Sequence, residues 1–181
     1  MKDNYAGKTV LLTANLDLSG ENWIPIGLSS NHNKNTGYWG FQGTFDGQNH
    51  TISNLTINVN GADNDCAAFF GSLNNATIKN LTLKDVNIRS KHYAAGFMGN
   101  SFNSPRFENC HVIGGTIIST AELINDGYDN GDKVGGIVGR YQGNSGCITN
   151  CSVENVTLSG YRDLGGIVGM SDGTVDHCTV K

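Results

Sequence analysis

The side chains in this chain that could do chemistry are scattered. Five His and sixteen Asp or Glu are spread over 181 residues. His32 lies in a loop pattern, His50 precedes Thr51-Ile52, His92 precedes Tyr93, His111 takes an outward strand position, and His177 sits at a corner. No H-x-x-x-H or C-x-x-C arrangement occurs. Polysaccharide-cleaving enzymes need acid and base groups converging on one groove. Here Asp46 reads as the cap of a tight turn to Gly47, and Asp85, Glu108, Glu154 and Asp176 fall on outward or corner positions. The Thr120 to Lys133 insertion gathers Asp126, Asp129 and Asp132 with Gly127 and Gly131. Oxygen ligands of this kind suit Ca²⁺, but the spacing is not that of an EF-hand, so a solvated loop is the plainer reading. No other cofactor is expected.

Binding is better supported than catalysis. Tyr38, Trp39, Tyr93, Tyr128, Tyr141 and Tyr161 read as lying in or beside loops. Aromatic rings with Asn and Asp neighbours stack on sugars or on protein surfaces. Tyr38, Trp39, Tyr93, Tyr141 and Tyr161 are therefore the candidate ligand-binding residues; the plain alternative is that each ring covers its own layer. Of the five Cys, Cys110, Cys151 and Cys178 share one repeat position, which the alignment also gives to Leu55 and Leu81. They read as small buried hydrophobes. A disulfide between neighbours meets the distance requirement but not the direction. Cys66 and Cys147 cannot be paired from sequence, and the odd count does not suggest a disulfide framework.

The elements that position these groups repeat. In VGGIVG-RYQGNSGC-ITNCSVENVTL (Val134 to Leu158), apolar residues Ile148, Cys151, Val153, Val156 and Leu158 fall at offsets 0, 3, 5, 8 and 10. The same offsets pick out Ile78, Leu81, Leu83, Val86 and Ile88, and then Phe107, Cys110, Val112, Gly115 and Ile117. They begin again at Val175, Cys178 and Val180, and a partial copy reads Ile52, Leu55 and Ile57. Inward residues of a strand alternate with period two. The alternation slips once between offsets 0 and 3 and once between 5 and 8, so the chain turns a corner at each slip. Asn54, Asn80, Asn109 and Asn150 stand at the first slip, where Asn tolerates a left-handed backbone and could stack into a ladder. The Gly-to-Gly spacings between copies are irregular (Gly71 to Gly99 to Gly139 to Gly169: 28, 40, 30), as a solenoid with side loops allows.

The G-G-I-V-G plus I-x-N-C-x-V pattern resembles the GLUG-motif repeats of bacterial surface proteins, and GTFDGQNHTISNLTI (Gly43 to Ile57) resembles the segment that opens such arrays. The resemblance covers residues 8 to 181. It implies an all-β, right-handed parallel β-helix of the pectate-lyase-like kind, in secreted or cell-surface proteins such as adhesins and IgA-protease-like N-terminal regions. The motif carries no catalytic residues.

The expectation is thus one β-helix domain over residues 1–181, of roughly five to six rungs, a piece of a longer surface protein. Lys8 to Leu18 and Trp23 to Gly27 read as an initial rung with a short apolar strand, and Pro25 suits an edge. A net charge of −4 argues against nucleic acid as a partner. No run of about 18 apolar residues suggests a membrane helix. The expected role is non-catalytic adhesion, ligand binding or support at the cell surface or outside it, with a host or cell-surface protein or a glycan as partner. The last repeat stops after three of its five apolar positions, so end-to-end self-association through that layer is a further expectation. A carbohydrate-binding module and a polysaccharide-active enzyme are the alternatives. No leader peptide is legible at Met1 to Gly7.

Overall fold

The computed structural model describes residues 4–27, 40–58, 66–120, 133–143 and 145–181. Three parallel sheets form the walls of a β-solenoid. The long sheet has ten strands in six layers, and the other two have four strands each. In the long sheet the layers are Thr9–Leu11 with Leu16–Asp17, Thr44–Ser53 with Thr56–Asn58, Thr77–Ser90, Arg106–Ser119, Cys147–Thr149 with Ser152–Ser159, and Thr174–Asp176 with Thr179–Val180. The second sheet stacks Cys66–Ala67, Tyr93–Ala95, Lys133–Gly135 and Asp163–Gly165; the third stacks Phe70–Asn74, Met98–Phe102, Val138–Tyr141 and Val168–Ser171. The five to six rungs expected become four complete turns with a partial layer at each end. Trp23 to Gly27 forms no strand; only Ile26 bridges to Phe70. Pro25 is buried there, and the Trp23 indole stacks on Phe69 at 4.9 Å.

The interior consists of files of equivalent side chains. Val10, Phe45, Ile78, Phe107, Ile148 and Val175 are register partners through all six layers. Leu83, Val112, Val153 and Val180 make a second file. Phe107, Ile78, Ile148, Val112 and Leu83 are all fully buried. Each large aliphatic or aromatic side chain removed from water in this way contributes about 1.5–3 kcal/mol, which is why a chain with so little charge can hold a long, narrow core.

The corner between the second and third sheets explains the Gly-rich signature. Gly96, Gly136 and Gly166 stack, with Gly96 N donating to Gly136 O at 3.0 Å and Gly136 N to Gly166 O at 3.1 Å. A Cβ at Gly136 would lie 2.3 Å from Gly166 O and 2.4 Å from Val153 Cγ2. Glycine is required there because the turn of one layer lies flat on the next and against the opposite wall.

Two corrections concern the early copy. Ile52 pairs with Leu83 and Ile57 with Ile88, so Leu55 lies over Val86 and not in the Leu81 file. The register shifts between Asp46 and His50, where Gln48 and Asn49 have positive φ. The notional column of Ser53 with Lys79, Glu108, Thr149 and Asp176 that equal repeat offsets give is therefore replaced: Ser53 pairs with Lys84, and Asp46 shares the outward column of Lys79, Glu108, Thr149 and Asp176.

Candidate functional site

The first corner is built as the alternation implied. Asn80, Asn109, Asn150 and His177 have φ of 52°, 53°, 54° and 50°. Asn109 Nδ2 donates to Asn80 Oδ1 at 3.1 Å, and Asn80 Nδ2 donates to Asp46 Oδ1 at 3.1 Å. Asp46 also accepts from Gln48 N at 2.9 Å and pairs with Lys79 at 3.4 Å. Partial burial works to raise the Asp46 pKa, but these donors outweigh it and hold the carboxyl below its ordinary 3.8. Asp46 is thus the acidic end of an amide ladder, and its turn-capping role stands. Asn54 belongs to a different corner: its N–H donates to Lys84 O, which places it over Asp85.

Beside this ladder, on the outer face, lies a polar cluster around His111. His111 Nδ1 is 2.8 Å from Ser152 Oγ, and its Nε2 is 3.0 Å from Asn109 Oδ1. His111 and Ser152 are register partners on neighbouring layers, so the sheet fixes their approach. Partial burial lowers the His111 pKa from 6.5, against an opposing pull from Glu154. Ser, His and Asn in line have the outline of a nucleophilic triad. The strands carrying them are paired on both sides, Arg106–Ser119 with Thr77–Ser90 and with Ser152–Ser159. Their backbone N–H groups serve the ladders, and the His111–Ser152 contact links the outer faces of two neighbouring layers. Sequence placed His111 as an outward residue; the shared offset of His111 and Ser152 in the repeat was the signal for their contact.

Of the aromatic candidates, Tyr161 is 58% exposed in the bend before Asp163–Gly165. Tyr93 and Tyr141 are corrected: both are buried strand residues. The Tyr141 hydroxyl donates to Pro105 O at 2.5 Å, and burial raises its pKa. A Cβ at Gly146 would fall 1.8 Å from that hydroxyl, and one at Gly173 2.2 Å from the ring. Tyr141 is a spacer in a glycine-lined slot. Tyr93 lies between Cys66 and Lys133 in register. Tyr38, Trp39 and Tyr128, and the calcium candidates Asp126, Asp129 and Asp132, lie outside the described residues. Among the described residues no group of three or more His, Cys, Asp or Glu could hold a metal ion. All five cysteines are unbridged.

An apolar edge is the other notable surface. Leu164, Val175 and Val180 are 43%, 40% and 57% exposed, although their partners one layer back are buried. Thr179–Val180 covers only the start of Ser152–Ser159, so Val156 and Leu158 are only partly buried.

No family model matches the chain. It is 30% identical over 137 residues to an immunoglobulin A1 protease of Streptococcus sanguinis, a match covering 72% of this chain and 6% of that protein. It is 35% identical over 101 residues to halomucin of Haloquadratum walsbyi, covering 55% of this chain and 1% of that protein. The chain therefore spans only a small fraction of the curated relatives it matches. A crystal structure of a Bacteroides ovatus protein named as a candidate immunoglobulin A1 protease superposes with a TM-score of 0.58 at 20% identity, over 96% of this chain and 68% of that one. That likeness establishes the shared β-solenoid fold.

Proposed function

We propose that this chain is a non-catalytic β-helical module of a bacterial secreted or cell-surface protein, acting in adhesion, ligand binding or support. The observation that carries this reading is the commitment of the backbone. From Thr77 to Val153 the long-sheet strands bond to layers on both sides, and several outer side chains bond to one another. Such a surface is a rigid display platform and offers no pre-aimed donor for a reaction. The two curated relatives are very much longer than this chain, which suits a module repeated or embedded in a large protein. The outward column of Asp46, Lys79, Glu108, Thr149 and Asp176 mixes charge and does not gather carboxylates for glycoside chemistry.

The finer reading is that the partner is a host or cell-surface protein or a glycan, met through exposed aromatic rings. Tyr161 is the described residue that favours it, and Tyr38 and Trp39 join it from the sequence pattern. The uncovered edge at Leu164, Val175 and Val180 supports the stacking of a further β-layer there, from a second molecule in the case of end-to-end association.

The immobilised chain would be screened on a glycan array and against extracellular-matrix proteins. Saturable binding that drops at least about tenfold in Tyr161→Ala or Trp39→Ala is expected, since aromatic anchors carry most of a contact's energy. Binding unchanged by both variants would remove the aromatic reading. Turnover of a polysaccharide or an activated ester, abolished in His111→Ala, would overturn the non-catalytic one.

A further inference from the structure

The file behind the first corner carries three thiols in the place that Leu81 fills one layer earlier. Cys110, Cys151 and Cys178 occupy one position in three successive layers. The residues flanking them are paired in register: Glu108 with Thr149 and then Asp176, and His111 with Ser152 and then Thr179. Cys110 and Cys151 are buried, while Cys178 is partly exposed. Each sulfur also reaches a carbonyl of the preceding layer: Cys110 to Ile78 O at 3.5 Å, Cys151 to Phe107 O at 3.9 Å, and Cys178 to Ile148 O at 3.5 Å. Each sulfur also reaches a carbonyl two residues back in its own layer: Cys110 to Glu108 O at 3.6 Å, Cys151 to Thr149 O at 3.3 Å and Cys178 to Asp176 O at 3.3 Å.

Layer spacing decides what such a file can hold. Neighbouring strands sit ~4.8 Å apart. A disulfide is reachable at that separation, but side chains stacked in parallel point the wrong way for its ~2.05 Å bond and ~90° dihedral. Two metal–thiolate bonds of ~2.3 Å placed end to end span ~4.6 Å, which matches the repeat. We propose that Cys151 and Cys178 form a two-coordinate site for a soft cation, Cu(I) or Hg(II), held in line between two thiolates. Thiolates select soft ions over Mg²⁺, Ca²⁺ or Mn²⁺. The absence of any three-residue ligand group among the described residues leaves linear coordination as the geometry on offer.

Binding converts two thiols to two thiolates, forms two sulfur–metal bonds and releases two protons, with no electron transferred. Hg(II) leaves the site neutral; Cu(I) leaves one negative charge, which a buried site disfavours, so Hg(II) binds more tightly. The ion enters beside the partly exposed Cys178.

The test uses the reduced full chain without oxygen, titrated with mercuric chloride and then with buffered Cu(I), each with excess monothiol present so that single cysteines do not compete. Native mass spectrometry reads stoichiometry, and X-ray absorption reads the coordination. One equivalent with two sulfurs near 2.3 Å is expected. Cys178→Ser should weaken binding by more than the ~10–100-fold that a change beside a ligand gives, whereas Cys147→Ser should leave it unaltered. Circular dichroism confirms folding, and Cys178→Ser, in the outermost layer, decides the matter if Cys151→Ser does not fold. Equal loss in Cys147→Ser and Cys178→Ser, or no binding by the folded wild type, would overturn the site. So would mild oxidation that removes two hydrogens and links Cys151 to Cys178 in a fully folded chain.

Discussion

The two corners of the long sheet solve one backbone problem with different chemistry. At the first corner Asn80, Asn109, Asn150 and His177 take left-handed φ; at the second, Asn54, Asp85, Gly114 and Asn155 do so, at 59°, 53°, 75° and 55°. The first corner runs side-chain bonding through successive layers, from Asn109 to Asn80 and on to Asp46, whereas the second has it at its early layer, from Asn54 to Asp17 and Ser19. The second varies from Asn to Asp to Gly. The left-handed turn is the common requirement, and residue choice beyond it reports whether the side chains also tie layers together.

The largest test of this view is Gly115→Ala. Gly115 follows Gly114 at φ 105°, and a Cβ there would lie 2.0 Å from Val86 O. A loss of ~3 kcal/mol or more is expected from strain and overpacking, measured by denaturant unfolding. A tolerated alanine would mean the second corner is soft and the comparison false. The next test pairs Asn109→Gly with Asn155→Gly. Glycine keeps the left-handed turn at both sites, so Asn109→Gly loses only side-chain bonds, to Asn80 in the ladder and to Asn49 and His111 beside it, ~1–2 kcal/mol, while Asn155→Gly stays within ~0.5 kcal/mol. Equal losses would show that the ladder adds nothing.

Two pH tests sharpen it further. The Asp46 pKa is lowered in the folded chain, so its contribution is present above the ordinary 3.8 and is lost as pH falls through the folded value. Asp46→Asn should flatten that part of the stability profile, and an unchanged acid slope would remove Asp46 from the ladder. The smallest effect belongs to His111. Its lowered pKa means the unfolded chain takes up the proton more readily. Stability should be level above 6.5 and decline as pH drops from there toward the folded value. His111→Gln should abolish that decline in thermal melts between those limits; a decline that persists would place its source elsewhere.

The misplacement of the early copy has a definite cause. In a pattern of 0, 3, 5, 8 and 10, the last three positions repeat the spacing of the first three. Ile52, Leu55 and Ile57 fit either half. Only pairing of Ile52 with Leu83 chooses between them, after the Asp46 to His50 irregularity lengthens the strand. The tyrosines failed differently. Tyr93 and Tyr141 border the Gly-rich turns, and polar neighbours made them look exposed. Whether a ring at a turn points out or fills a slot depends on what the adjacent layers leave empty, such as the space at Gly146 and Gly173.

By itself the sequence determined the parallel coil, its interior files and its left-handed corners. Those follow from alternation along a strand and from the backbone preferences of Asn and Gly, which are local properties. The register of the first copy, the pairing of His111 with Ser152 and the burial of Tyr141 were decided only by the tertiary structure. Each depends on contacts between residues 31 to 41 positions apart in the chain, and local pattern carries no record of which distant layer lies above.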